Sequence, residues 1–179
     1  MFPKAHAAAY VTMAFRIAWF KVHIPKAYYT AFYSVRADEF DSDVMIHGKD
    51  RVVAKMREID MQGNDASTKD KNMYSILEIV LEMYERGIKF LPIDLYESDA
   101  TKFKMLEEGI RPPLNSIPGL GNVAAINIQA AREKEGKFMS IEELKIRAGV
   151  GKSVVELLRN AGCLKGMQES NQMTLFAMN

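Results

Sequence analysis

The apolar positions of the 179-residue chain fall into helix-length runs separated by polar breaks. Residues 5–24 are almost continuously apolar, alanine-rich at first and then carrying Phe15, Ile17, Trp19 and Phe20. Alanine favours helix, and nothing breaks the run before Pro25. A membrane span needs about 20 apolar residues. Arg16 and Lys21 interrupt this run, and a mid-span arginine costs at least ~2.5–3.5 kcal/mol. The pattern therefore predicts a helix buried inside a larger protein. Residues 27–35 predict a second, aromatic helix whose rings form core rather than a stacking platform. Residues 43–59 predict a third, with Val44, Val52, Val53, Met56 and Ile59 on one face and His47-Gly48 interrupting or offsetting its start.

Residues 61–71 are polar and read as a loop. Asn72 then caps an amphipathic helix in which Met73, Ile76, Leu77, Val80, Leu81 and Tyr84 recur at helical spacing, Glu82 and Arg86 pair at i, i+4, and Gly87 ends the helix. Short β-like pieces follow at 88–91, 93–96 and 101–106. With a turn at Glu108-Gly109, residues 110–112 return as a partner strand. The pattern changes again from residue 114. Ile117-Pro118-Gly119-Leu120-Gly121-Asn122 and, about thirty residues on, Gly149-Val150-Gly151-Lys152-Ser153 each read as helix, Gly-apolar-Gly hairpin, helix. Ser140 and Glu143 form a capping box that opens the helix leading into the second hairpin. The fold class is mainly α with a small antiparallel β element and a tandem hairpin unit.

A glycine hairpin can turn at positive φ and leaves no side chain between backbone and ligand. When it feeds a helix at once, the free N–H groups and the helix dipole favour an anion there, so a phosphate can be held without a cationic side chain. The candidate contact residues are Pro118, Gly119, Leu120, Gly121 and Asn122 in one unit and Gly149, Val150, Gly151, Lys152 and Ser153 in the other. The bland alternative is a pair of ordinary helical corners with glycine stops. The signature resembles the helix-hairpin-helix motif in tandem form. That resemblance implies binding of duplex DNA through the sugar–phosphate backbone on the minor-groove side, without reading sequence.

Charge adds little. The net charge is +1, and the most basic stretch, residues 115–166, carries eight Lys/Arg against five Asp/Glu. That fits backbone-amide binding better than a lysine patch. The single cysteine, Cys163, excludes a disulfide framework or a multi-cysteine zinc site within the chain and suits a reducing compartment. No carboxylate pair has spacing that argues for a metal or acid–base chemistry, and no catalytic residue is assigned.

Lys4 and His6 open the first helix. The plain reading is a solvated lysine and a capping histidine; the functional one places a cation and a proton donor near a phosphate. At the other end a polar stretch leads to Gln172-Met173-Thr174-Leu175-Phe176. A glutamine followed by two large apolar side chains resembles the motif by which bacterial proteins bind the replication sliding clamp. The rival reading is a frayed tail.

Taken together, these residues resemble the C-terminal part of PolC-type DNA polymerase III alpha subunits, over nearly the whole chain. Residues 2–10 and the long helix are similar to the end of the fingers. Residues 63–66 with Glu85-Arg86-Gly87 are similar to the linker and helix entering the duplex-binding domain. Arg111-Pro112-Pro113-Leu114-Asn115 is similar to the entry into the first hairpin. The resemblance implies four parts: a fingers-like region at 1–60, a linker, helix and small sheet at 61–114, the hairpin unit at 115–166, and a flexible tail with the clamp motif at 167–179. It places Lys4 and His6 toward nucleotide and template, and Gln172, Met173, Leu175 and Phe176 on a bacterial sliding clamp. The partners it implies are primer–template duplex, the clamp and the remainder of the polymerase, in the cytoplasm at the nucleoid and not at a membrane.

Mg2+ is expected for the complete polymerase and no cofactor for this portion, which lacks a palm and should not polymerise alone. Met1 falls where the family's structure is under way, so a split, truncated or fragmentary gene product is expected. The other readings left open are a stand-alone helix-hairpin-helix adaptor and a repair accessory module.

Overall fold

A computed structural model describes residues 3–36 and 40–170. Among them are eight α-helices: α1 (Lys4–His23), α2 (Pro25–Val35), α3 (Ser42–Met45), α4 (Lys49–Gln62), α5 (Thr68–Glu85), α6 (Asn122–Glu135), α7 (Ile141–Ala148) and α8 (Lys152–Asn160). Two short strands, β1 (Lys104–Met105) and β2 (Ile110–Arg111), pair antiparallel with Lys104 opposite Arg111.

The apolar side chains divide into two adjoining cores. One gathers Tyr29, Tyr33, Met45, Val52, Ile76, Leu77, Val80 and Met83 from α2 to α5, closed by Phe40, Phe90, Phe103 and Ile110. Tyr29 and Tyr33 of α2 are thus core, while Tyr28 and Phe32 are half-buried against it. Tyr33, Phe40, Phe90 and Phe103 form an edge-on knot with ring centres 4.9–6.2 Å apart. The other core holds Leu114, Ile117, Leu120, Ile128, Leu144, Val150 and Leu158 from the hairpin units. Ile46 packs against both.

α1 buries no residue within this chain. Phe15 is 72% exposed and Val22 65% exposed. Its attachment runs through its end: Lys21 Nζ pairs with Glu82 at 2.7 Å, and Arg86 Nη1 donates to the Lys21 carbonyl at 3.1 Å. The expected Glu82–Arg86 pair is also present, at 2.9 Å. No helix among the described residues is long and apolar enough to cross a membrane.

Several boundaries differ from expectation. His47-Gly48 does separate two helices, but the first is only α3. α4 runs on to Gln62, and Gly63–Asp65 form a 3-10 turn, so little of residues 61–71 is loop. α5 begins at Thr68, not at Asn72. Ser67 supplies the cap: its Oγ accepts from the Asp70 N–H at 3.1 Å and donates to the Asp70 carboxylate at 2.6 Å. A cap needs only one well-placed oxygen, and the polar turn after it is tolerated because it faces solvent. The sheet is smaller than the β-like pieces suggest. Phe90 makes a single bridge to Ile110. Residues 93–96 enter a turn instead, because the Asp94 carboxylate accepts from the N–H groups of Tyr96 and Glu97.

Candidate nucleic-acid interface

The two hairpins are not equivalent. The second is α7, Gly149 in the left-handed region (φ 62, ψ 34), Val150, Gly151, then α8. In the first, the helix before the turn shrinks to a 3-10 turn at Leu114–Ser116. Prolines explain the difference. Pro112 and Pro113 precede it, and Ile117, which precedes Pro118, is extended (φ −70, ψ 120) because a residue before proline avoids the helical region. Within each hairpin the glycines divide the work. Gly119 (φ 85) and Gly149 make the turn. Gly121 (φ −71) and Gly151 (φ −81) are N-caps in ordinary extended backbone, and a Cβ on either would meet nothing within 4 Å.

The apolar residue between each glycine pair is an anchor. Leu120 and Val150 are buried in the shared core, and their N–H groups already donate to Ile117 and Lys145 carbonyls. What each hairpin presents outward is different. Gly121, Asn122, Gly151, Lys152 and Ser153 are exposed, with Gly119 and Gly149, and Pro118 is half-buried. The first helix-internal donors are Ala125, to the Gly121 carbonyl at 3.1 Å, and Val155, to the Gly151 carbonyl at 3.3 Å. The N–H groups of Asn122, Val123 and Ala124, and of Lys152, Ser153 and Val154, therefore lie at helix starts with no partner in their own helix.

The starts of α3, α4, α5 and α7 are occupied. α3, α5 and α7 have side-chain caps from Asp41, Ser67 and Ser140, and α3, α4, α5 and α7 carry an acid in the first turn. α6 and α8 have neither, and α8 opens on Lys152. A lysine at the positive end of a helix dipole is unfavourable unless an anion joins it. α1 and α2 also have neither cap nor acid, but α1 follows Pro3 and α2 begins with Pro25, and neither start follows a glycine turn.

Two arginines fix the helices of the hairpin unit: Arg132 ties α6 to the turn at residues 95–98, and Arg147 ties α7 to α6. Arg132 on α6, 9% exposed, donates from its guanidinium to the Leu95 and Ser98 carbonyls. Burial holds its pKa below the usual arginine range, with Glu133, Asp99 and Asp94 acting the other way. Arg147 on α7 donates to Glu143 at 2.9 Å and to the Ala131 carbonyl at 2.8 Å, and its guanidinium sits 4.5 Å over the Phe138 ring. The Ser140 cap is present too, with the Glu143 N–H donating to Ser140 Oγ at 3.2 Å, while the Glu143 carboxylate reaches back to accept from the Met139 N–H at 2.7 Å.

A groove of about 710 Å³ runs along the first hairpin, at the seam between the two cores. Residues 117–122 form one side; Lys69, Asn72, Met73, Phe40 and Asp41 form the other. Asn115 lies in it and donates from Nδ2 to Asn122 Oδ1 at 2.8 Å. The pattern of apolar positions did not reveal Lys69, Asn72 or Asn115, because their proximity to Asn122 exists only in the folded chain. Val123, beside the hairpin, is 74% exposed.

Lys4 and His6 are exposed on α1 and are not among the residues lining this groove; the His6 ring lies 4.5 Å from Tyr10. Gln172, Met173, Leu175 and Phe176 lie outside the described residues. The segment before them is less free than its polarity suggests. The Ile141 and Glu142 N–H groups donate to the Gln168 and Glu169 carbonyls, and Arg159 pairs with Glu169 at 2.8 Å. No group of three or more His, Cys, Asp or Glu side chains suited to a metal occurs among the described residues.

Residues 87–174 match a family described as the helix-hairpin-helix motif. Over 176 residues, 98% of its length, the chain is 54% identical to the DNA polymerase III PolC-type of Clostridium perfringens and 53% identical to those of Oceanobacillus iheyensis and Bacillus subtilis. It spans only 12% of the length of these relatives. The chain thus corresponds to one segment of PolC-type DNA polymerase III and carries a helix-hairpin-helix motif.

Proposed function

We propose that this chain is a duplex-holding portion of a replicative polymerase, gripping primer–template through the starts of α6 and α8. The observation that carries this reading is that these two helices begin on exposed glycines with no side-chain cap and no acid in the first turn. One strand's phosphates meet the N–H groups of Gly121, Asn122 and Val123, and the Val123 side chain rests on a deoxyribose. The other hairpin offers Gly151, Lys152 and Ser153 to a phosphate of its own, with the Lys152 ammonium beside it. Pro118, Gly119 and Gly149 shape the approach. Leu120 and Val150 hold the turns to the core. Because the donors are backbone groups, recognition is independent of base sequence. Equilibrium binding to two short duplexes of unrelated sequence tests this: the affinities should be equal and should fall together with added salt. A marked preference for one duplex contradicts it.

Two further parts of the reading rest on the likeness to the PolC-type relatives. The 172–176 segment tethers the polymerase to its sliding clamp through Gln172, Met173, Leu175 and Phe176. Replacing Leu175 and Phe176 with alanine should abolish clamp binding and spare duplex binding. Lys4 and His6 face the nucleotide and template side. The exposed apolar surface of α1 supports a place against the remainder of the polymerase, since a helix apolar all round is stable when covered.

A further inference from the structure

The two hairpins differ in charge. α8 opens on Lys152, whereas α6 opens on Asn122. The first hairpin has no cation of its own among residues 114–122. In the folded chain a cation stands opposite it: Lys69, at the second position of α5, lines the same groove as Gly119, Gly121 and Asn122. Lys69 makes no ion pair among the described residues, while the neighbouring Asp70 is engaged by Ser67 and the Lys71 ammonium reaches the Asn64 carbonyl. Asn72, three residues on and so on the same helix face, lines the groove as well.

The first hairpin also directs an amide into this space. Asn122 Oδ1 is taken by Asn115, which leaves the Asn122 side-chain N–H donors for a ligand. The groove carries one opposing charge, Asp41, whose Oδ1 accepts from the Asp43 N–H at 2.9 Å as the cap of α3. Its volume of about 710 Å³ falls within the range of binding clefts, and its position at the seam of two cores is where such clefts occur.

We infer that the groove between the start of α5 and the first hairpin is a second wall of the duplex site, taking one sugar–phosphate strand with Lys69 and Asn72 on one side and Asn122 with the α6 N–H groups on the other. This rests on the duplex-holding reading above and extends it to residues outside both hairpins. Lys69 supplies to the first hairpin, across space, the charge that Lys152 supplies to the second within the chain. A phosphate there satisfies the ammonium, the Asn72 and Asn122 amides and the helix start together.

The test is fluorescence anisotropy of a short labelled duplex with the 179-residue chain, across a salt series. Lys69→Ala and Asn72→Ala should each weaken binding several-fold. Lys69→Ala should also reduce the slope of log affinity against log salt by about 1, the signature of one lost phosphate contact. Lys49→Ala removes a lysine that pairs with Glu85 and lies outside the groove, and it should leave affinity and slope unchanged. Lys69 and Asn72 are exposed, so melting temperatures should match the parent's. Parent-like affinity and slope in Lys69→Ala, alongside lost binding in Gly121→Leu, would overturn the groove and leave the hairpin reading intact. A parent chain that binds no duplex would overturn both.

Discussion

The turn of the first hairpin rests on the last helix of the second: a Cβ on Gly119 would lie 3.4 Å from Leu157 Cδ1. The two units therefore brace each other, and the two glycines of the first hairpin carry separable roles. Gly119→Ala places a side chain at φ 85 and should cost about 1–2 kcal/mol of stability, since 3.4 Å is an ordinary contact and the strain lies in the backbone. Gly121→Leu meets open space at φ −71, so chemical denaturation should show only the small loss of a glycine cap, about 1 kcal/mol or less, while duplex binding collapses.

Arg132 should be as sensitive as a core residue. Arg132→Met leaves the Leu95 and Ser98 carbonyls buried without donors and should destabilise the chain by about 2–4 kcal/mol, read from urea unfolding. Arg132→Lys should recover little, because one ammonium cannot reproduce a forked contact to two carbonyls.

Arg132 also shows where sequence reading stops. The hairpins, the Ser140 capping box, the Glu82–Arg86 pair and the aromatic core of α2 were all legible, because each depends on neighbours a few residues apart. The 3-10 turn before Gly119 was not, although Pro112, Pro113 and Pro118 stood in view; glycine spacing alone suggested a full helix. The start of α5 at Ser67 was missed because a polar run looked like loop. That Lys69 and Asn72 share a groove with Asn122 was not legible, since the start of α5 reaches the first hairpin only through the packing of the two cores; Asn115 stood in view before the hairpin, but its bond to Asn122 did not. The pinning of Gln168 and Glu169 onto α7 is likewise a long-range contact that a polar segment does not announce.

Cys163 offers an internal probe. Burial, with Asp94 adding to it, pushes its thiol up from 9.0 to about 12, and its Sγ lies 3.6 Å from the Ile93 carbonyl. The folded form thus binds the proton more tightly. That stability is fully present below the ordinary thiol value and is lost as pH rises through about 12. Tyr29, raised to about 12 chiefly by burial with Glu82 adding to it, acts with the same sign. At neutral pH Cys163, half-buried and with its thiolate disfavoured, should react with a thiol reagent more slowly than a free cysteine, and Cys163→Ala should remove part of the alkaline fall in melting temperature.

The surface of α1 predicts behaviour in solution. Phe15→Gln and Val22→Gln remove exposed apolar groups that touch neither core, so they should reduce self-association in light scattering without lowering the melting temperature.

The most direct test of the central claim is duplex binding by the double variant Gly121→Leu/Gly151→Leu, measured by anisotropy beside the parent chain. Both substitutions point into open space, so helical circular dichroism should be retained. The account predicts that the parent binds unrelated duplexes equally and releases them with salt, and that the double variant binds neither. A folded double variant that binds duplex as tightly as the parent would contradict it.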